Sequence, residues 1–175
     1  RAGKWEKSKF MGVEITGKTL GLIGAGNIGS VVAARDIGLK MKVIAYDPFV
    51  GEQRYKEMGV DKADTSDDVY AVADFITVHL PKTPETVGLI DAEALKLVKP
   101  SVVIVNAARG GIVDEQALYD ALVAGQVAGA GVDVYSKEPC TDSPLFTLDN
   151  VVATPHLGAS TDEAHGNAGI AVAKS

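Results

Sequence analysis

Six short apolar runs set the tightest limit on how this chain can fold. They are Leu20–Ile23, Val43–Tyr46, Phe75–Val78, Val102–Val105, Ala128–Val132 and Val151–Ala153. They are rich in Val and Ile, and most lack the polar alternation of a strand with one wet face. Such runs read as strands buried on both faces of a parallel sheet. Between them lie helical patterns at Ile28–Ile37, Glu52–Met58, Asp67–Ala73, Ala92–Val98 and Glu115–Val123. The fourth pattern stops before Lys99-Pro100, and the fifth is followed by Gly125, a residue suited to ending a helix. A last helix is predicted from Ser160, with Glu163 three residues on in capping-box spacing. Strands alternating with helices predict a doubly wound α/β fold, a Rossmann-type parallel sheet in three α/β/α layers with right-handed crossovers. Residues 1–17 fall outside the rhythm and read as an N-terminal arm.

The 175 residues fit a single domain, 1–175. A composition of 46% hydrophobic and 23% charged residues excludes disorder as the main state. A net charge of −6 with no Lys/Arg cluster argues against nucleic-acid or membrane-surface partners. No stretch approaches the roughly 18 apolar residues of a membrane span, and no secretory leader is visible. One Cys excludes a disulfide framework or a Cys-based zinc cluster. No metal is expected, and a reducing cytoplasmic setting is. The first Met is Met11, and the chain closes at Lys174-Ser175 within a helix-like run that has no stop signal. Both ends therefore read as cut, as if one domain had been taken from a longer polypeptide.

In doubly wound sheets, ligands bind beyond the carboxyl ends of the strands. The residues to read for chemistry are therefore Gly24–Gly29, Asp47, His79, Asn106–Arg109, Asp133 and Pro155-His156. Glycine is the compositional outlier at 19 residues, and three of them form the G-x-G-x-x-G of Gly24, Gly26 and Gly29. In a dinucleotide site these allow a tight turn, close approach of a pyrophosphate, and close packing of helix on strand. The helix N-terminus beyond offers free N–H groups to phosphates. A lone glycine motif is weak, but this one follows a strand and opens a helix. Asp47 ends the second run at close to the ~20-residue separation expected of an acid bonding ribose hydroxyls. It could otherwise be a turn residue before Pro48. A carboxylate there repels a 2′-phosphate and no Arg stands at 48–50, so NAD is expected over NADP.

Arg109 follows the fourth run, where its planar guanidinium could take a carboxylate in bidentate fashion or simply bridge loops. Asp133 ends the fifth run, and Glu138 lies shortly beyond it. His156 follows the sixth and is a candidate general acid/base or a satisfied structural histidine. A carboxylate on its other nitrogen would orient it, yet spacing alone does not bring Glu138 to His156. His79 and His165 are weaker candidates for proton transfer. Cys140 reads as a small hydrophobe.

Three stretches together are specific: VNAARGGIVDEQAL, GAGVDVYSKEP and TPHLGAST. With KWEKSKFMGVEITGKTLGLIGAGNIG and VHLPKTPET, the chain resembles the D-2-hydroxyacid dehydrogenases from about Trp5 onward, nearest the branch acting on 3-phosphoglycerate. The resemblance implies a central NAD-binding domain set into a substrate domain built from both flanks, with the substrate domain absent from this chain. It places the catalytic residues on Arg109, Glu138 and His156, the carboxamide partner on Asp133 and the ribose acid on Asp47. Pyrophosphate amides fall on Asn27 and Ile28, and further cofactor contacts on Leu80, Ala107, Ala108, Gly158 and Ala159. It implies a 2-hydroxy-acid substrate and a homodimer contact through Trp5–Gly12. Cofactor binding with poor turnover is expected of the isolated domain. His165 and Gly166 depart from the family pattern, where Gln and a longer polar residue are usual. Alternatives are a glyoxylate or hydroxypyruvate reductase, or a dinucleotide-sensing corepressor, against which stands the lack of an evident peptide-binding extension.

Overall fold

All six apolar runs contain strands, and those at Leu20–Ile23, Val43–Tyr46 and Phe75–Val78 divide their side chains between two cores, while the other three join only the larger one. The computed structural model describes residue 3 and residues 5–164. Its strands are β1 (Thr19–Ile23), β2 (Lys42–Tyr46), β3 (Asp61–Lys62), β4 (Phe75–Val78), β5 (Val103–Asn106), β6 (Gly129–Val132) and β7 (Val151–Ala153). Its helices are α1 (Asn27–Gly38), α2 (Glu52–Met58), α3 (Ser66–Val72) and α4 (Glu115–Val123). The strands form one parallel sheet in the order β3-β2-β1-β4-β5-β6-β7. Leu20 and Leu22 of β1, with Val43 and Ala45 of β2, join Ala33 of α1 and Tyr55 of α2 on one face. Ile23, Ile76 and Ile104 belong to the larger core with Val69 and Tyr70 of α3 and Leu118 of α4. A period-2 backbone with apolar residues at every position favours burial of both faces, which helices provide for the central strands, whereas Val105 of β5 and Val152 of β7 stay exposed.

Three local expectations are corrected. The sequence showed no sign of β3, a pair of exposed residues, because its place on β2 comes from register (Ile44 opposite Asp61) and not from hydrophobicity. Ala92–Val98 is not an α-helix but a 3-10 turn at Ala94–Lys96. Ala94, Leu95 and Val98 are buried all the same; a single tight turn reaches all three before the chain meets Pro100, whose predecessor disfavours helix. The last helix is capped by Thr161 rather than Ser160. Thr161 Oγ1 accepts from Ala164 N at 3.1 Å, and the chain is helical from Asp162 to Ala164. His165, Gly166 and the rest of the expected helix lie outside the described residues. The α3 start carries an unforeseen capping box, Thr65 with Asp68. Among the described residues no helix is long and apolar enough to cross a membrane, and no group of three or more His, Cys, Asp or Glu side chains could hold a metal.

Candidate active site

The order of the sheet reverses between β1 and β4, so the crossovers leave β1 and β4 in opposite directions and open a crevice at their carboxyl ends. Gly24 and His79 are the first residues beyond these two strands. Gly24 has φ +111°, and a Cβ there would stand 2.6 Å from the His79 carbonyl carbon. Only glycine allows the strand ends to come this close. A Cβ on Gly29 would overlap the Gly24 carbonyl oxygen, which fixes the start of α1 against the turn.

Gly26 differs from both. Its φ of −75° suits any residue, and a Cβ would meet nothing within 4 Å. Neither packing nor strain requires glycine here; what the missing side chain leaves open is the approach to α1. No side chain caps that helix, so its first N–H groups, including those of Asn27 and Ile28, face outward without an intrahelical partner. An uncapped, unshielded helix start fits the pyrophosphate of a dinucleotide.

Asp47 closes this turn from behind. It is buried; one carboxylate oxygen accepts from Ala25 N at 2.7 Å and the other from Phe49 N at 2.8 Å. Tyr55 Oη bonds both the N–H and the carbonyl of Asp47. Arg54 grips the next peptides of the same turn: Nε donates to the Ala25 carbonyl at 3.0 Å, and Nη2 donates to the Gly26 carbonyl at 3.2 Å and to Ser30 Oγ at 3.1 Å. Sequence reasoning looked for a cation at 48–50 and missed Arg54, because α2 carries it back to the glycine turn.

A cleft of about 430 Å³ continues the crevice, lined by Ile28, His79, Leu80, Lys82, Ala107 and Arg109 among others. Burial holds the His79 imidazole below its usual pKa, and its Nε2 lies 3.0 Å from Thr77 Oγ1. At the end of β5 the buried Asn106 shapes the turn that follows. Its Nδ2 donates to the Arg109 carbonyl at 3.1 Å and its Oδ1 accepts from Ala108 N at 3.1 Å. Arg109 extends from this turn, exposed, with Nη1 on the Ala108 carbonyl.

Residues Asn106, Val132 and Ala153 lie in register across β5, β6 and β7, so the segments after these strands emerge side by side. Asp133 ties the last two together. Its Oδ1 accepts from Thr154 Oγ1 at 2.5 Å and Leu157 N at 2.7 Å, and its Oδ2 from Gly158 N at 2.9 Å. Burial raises the Asp133 pKa, but these bonds outweigh it and hold the carboxyl below its ordinary value. The turn so held puts His156 at φ +59°, a left-handed conformation that a non-glycine residue keeps only when its surroundings impose it.

His156 Nδ1 lies 2.7 Å from Glu138 Oε2, and Glu138 Oε1 accepts from Tyr135 N at 2.9 Å. The contact with His156, then the Tyr135 N–H, keeps Glu138 below the usual carboxylate range. With Nδ1 engaged, Nε2 is the nitrogen left to exchange a proton with a bound molecule. Cys140 packs half-buried beside the larger core. Ala159 lies on the exposed loop after Gly158.

The family model for the NAD binding domain of D-isomer specific 2-hydroxyacid dehydrogenases matches residues 1–158. The D-3-phosphoglycerate dehydrogenase of Mycobacterium leprae is 59% identical over 175 residues, covering 100% of this chain and 33% of that protein. The hydroxypyruvate reductase of Thermotoga maritima is 49% identical over 173 residues, covering 97% of this chain and 55% of that protein. The solved NAD-complexed D-isomer specific 2-hydroxyacid dehydrogenase of Lactobacillus delbrueckii ssp. bulgaricus superposes with a TM-score of 0.78 at 36% identity, covering 92% of this chain and 52% of that one. The chain thus spans about a third of the length of the phosphoglycerate dehydrogenase relatives it matches.

Proposed function

The chain belongs to the NAD-binding domain family of the D-isomer specific 2-hydroxyacid dehydrogenases, and from that premise we propose that it is the cofactor-holding part of a D-3-phosphoglycerate dehydrogenase. The proposed reaction is oxidation of 3-phosphoglycerate to 3-phosphohydroxypyruvate, a step of serine biosynthesis. The names of relatives such as the M. leprae protein support the substrate. The contact that carries the chemistry is His156 Nδ1 to Glu138 Oε2 at 2.7 Å.

Bound NAD supplies the hydride acceptor. The open Gly26 and the uncapped α1 would hold its pyrophosphate, and Asp47 its adenosine ribose. Asp133, Leu80, Ala107, Ala108, Gly158 and Ala159 would line its nicotinamide end. Arg109 takes the substrate carboxylate through two parallel N–H bonds. His156 Nε2 accepts the proton of the C2 hydroxyl, and in the reverse direction returns it. Glu138, already on Nδ1, holds the ring in orientation and stabilises its protonated form, as the carboxylate of a catalytic triad does. A substrate domain elsewhere in the protein would close the site and exclude water.

We place the protein in the cytoplasm as a homodimer joined through the segment Trp5–Gly12. Trp5 is 93% and Met11 86% exposed, more than single apolar side chains of a free surface need be. Light scattering that shows a monomer for the full-length protein would remove the dimer. Assays of full-length protein on 3-phosphoglycerate, glyoxylate and hydroxypyruvate decide the substrate. The highest kcat/KM is expected with the phosphorylated acid. A clear preference for hydroxypyruvate would transfer the assignment to the activity in the name of the T. maritima relative.

A further inference from the structure

Glu115 is the first residue of α4, yet its carboxylate does not serve that helix. Asp114 caps α4, its Oδ1 accepting from Ala117 N at 2.9 Å. Glu115 turns away to the loop after β6, where its Oε1 accepts from both the N–H and the hydroxyl of Ser136, each at 2.6 Å. The preceding amide, Tyr135 N, is the one that Glu138 holds at 2.9 Å. Two carboxylates therefore clasp consecutive N–H groups.

Tyr135, bonded to Ser136 through the peptide that Glu115 holds, touches every part of the proposed catalytic set. A Cβ on Gly110, next to Arg109, would overlap the Tyr135 carbonyl, so the turn bearing Arg109 rests directly on the Tyr135–Ser136 backbone. Tyr135 Oη bonds the Thr154 carbonyl at 3.0 Å, two residues before His156. Tyr135 is thus a junction between the Arg109 turn, the Glu138 carboxylate and the approach to His156.

We infer that Glu115 is a positioning residue: by accepting from Ser136 it presses the Tyr135–Ser136 peptide onto Gly110, and so sets where Glu138 meets His156 relative to Arg109. This rests on the assignment of Arg109, Glu138 and His156 made above. Charge-assisted bonds to a backbone N–H are among the stronger hydrogen bonds, and small displacements of a reacting group are costly in rate.

The test compares full-length wild type with Glu115→Ala and Glu115→Gln. Glu115→Ala should lower kcat by about 10- to 100-fold with NADH affinity unchanged. Glu115→Gln keeps an acceptor oxygen for Ser136 and should recover most of the loss. The hydrogen-bonded His156 Nδ1 proton, observed by low-field NMR, should broaden away in the Ala variant and persist in the Gln variant. An unchanged resonance in Glu115→Ala, or equal losses of kcat, NADH affinity and thermal stability, would overturn the inference. If the wild type neither oxidises 3-phosphoglycerate nor reduces glyoxylate or hydroxypyruvate, the assigned reaction falls. The NMR comparison still decides whether Glu115 positions the Glu138–His156 contact.

Discussion

The two ends of the crevice are built from different materials. At the β1–α1 end, backbone does the holding: a glycine at φ +111° lets the strand ends meet, and uncapped helix amides face the opening. At the β5–β7 end, side-chain carboxylates do it. Asp133 ties Thr154, Leu157 and Gly158, Glu138 joins Tyr135 to His156, and Glu115 holds Ser136. The first is set mainly by sterics, with the Asp47 and Arg54 side chains bracing the turn from outside. A carboxylate-built site can be tuned by charge and depends on each partner being present. The first suits a ligand with invariant phosphates, and the second suits proton transfer.

Glycine substitutions separate fold from binding within the backbone-built end and should have the largest effect. Gly24→Ala meets both the left-handed φ and the His79 backbone, so it should cost about 3 kcal/mol of stability and abolish NAD binding. Gly26→Ala meets nothing and should fold normally, with only the cofactor affinity reduced. Thermal melts beside calorimetric NAD titrations read the two. A Gly24→Ala protein that melts and binds like wild type would remove the steric account.

At the other end, His156→Asn in the full-length enzyme should lower kcat by about 10²- to 10⁴-fold while NADH affinity stays near wild type. Parallel losses in both, from steady-state kinetics and fluorescence titration, would make His156 a structural residue. Asp47→Asn tests the one carboxylate buried in the backbone-built end. An amide can accept from only one of Ala25 N and Phe49 N, so one N–H loses its partner and the other keeps a neutral bond, a cost of about 2 kcal/mol, and NAD affinity should fall about 30-fold. No change in the calorimetric Kd would mean that the turn holds itself without Asp47.

The smallest effect is that of pH. Asp133 and Glu138 both have folded pKa values below the ordinary carboxylate value. Their contribution to stability is therefore complete above the unfolded value of about 4, and is lost as pH falls through the depressed folded values. Between pH 7 and about 5 the β5–β7 turns should be unaffected; below about 4 they should loosen before the glycine turn does. Amide exchange at Leu157 and Gly158, compared with Gly24, whose N–H donates to the Tyr46 carbonyl, measures the order. Earlier opening at Gly24 would reverse it.

The sequence made one end of the crevice far more legible than the other. Gly24, Gly26 and Gly29 stand out because their spacing at a strand–helix junction is itself the signal, although the His79 backbone that Gly24 meets comes from the far end of β4. The strands were equally plain, since burial on both faces leaves an apolar run wherever the strand is central. The exposed β3 left no such trace, and the buried side chains of Ala94, Leu95 and Val98 suggested an α-helix where one 3-10 turn was enough. Arg54 was overlooked because the search for a cation stopped at residue 50, while the return path of α2 determines what reaches the Ala25 carbonyl.

By itself, then, the sequence determined the parallel sheet, the phosphate turn and the identities of the groups that gather at the strand ends, because hydrophobic periodicity and glycine stereochemistry are local properties of the chain. Only the tertiary structure decided the pairings: Glu138 on His156, Asp133 on the 154–158 turn, Arg54 and Asp47 on the two sides of Ala25, and Glu115 on Ser136. Each joins segments brought together by strand register and helix packing, and a carboxylate takes whichever donor that packing sets within reach.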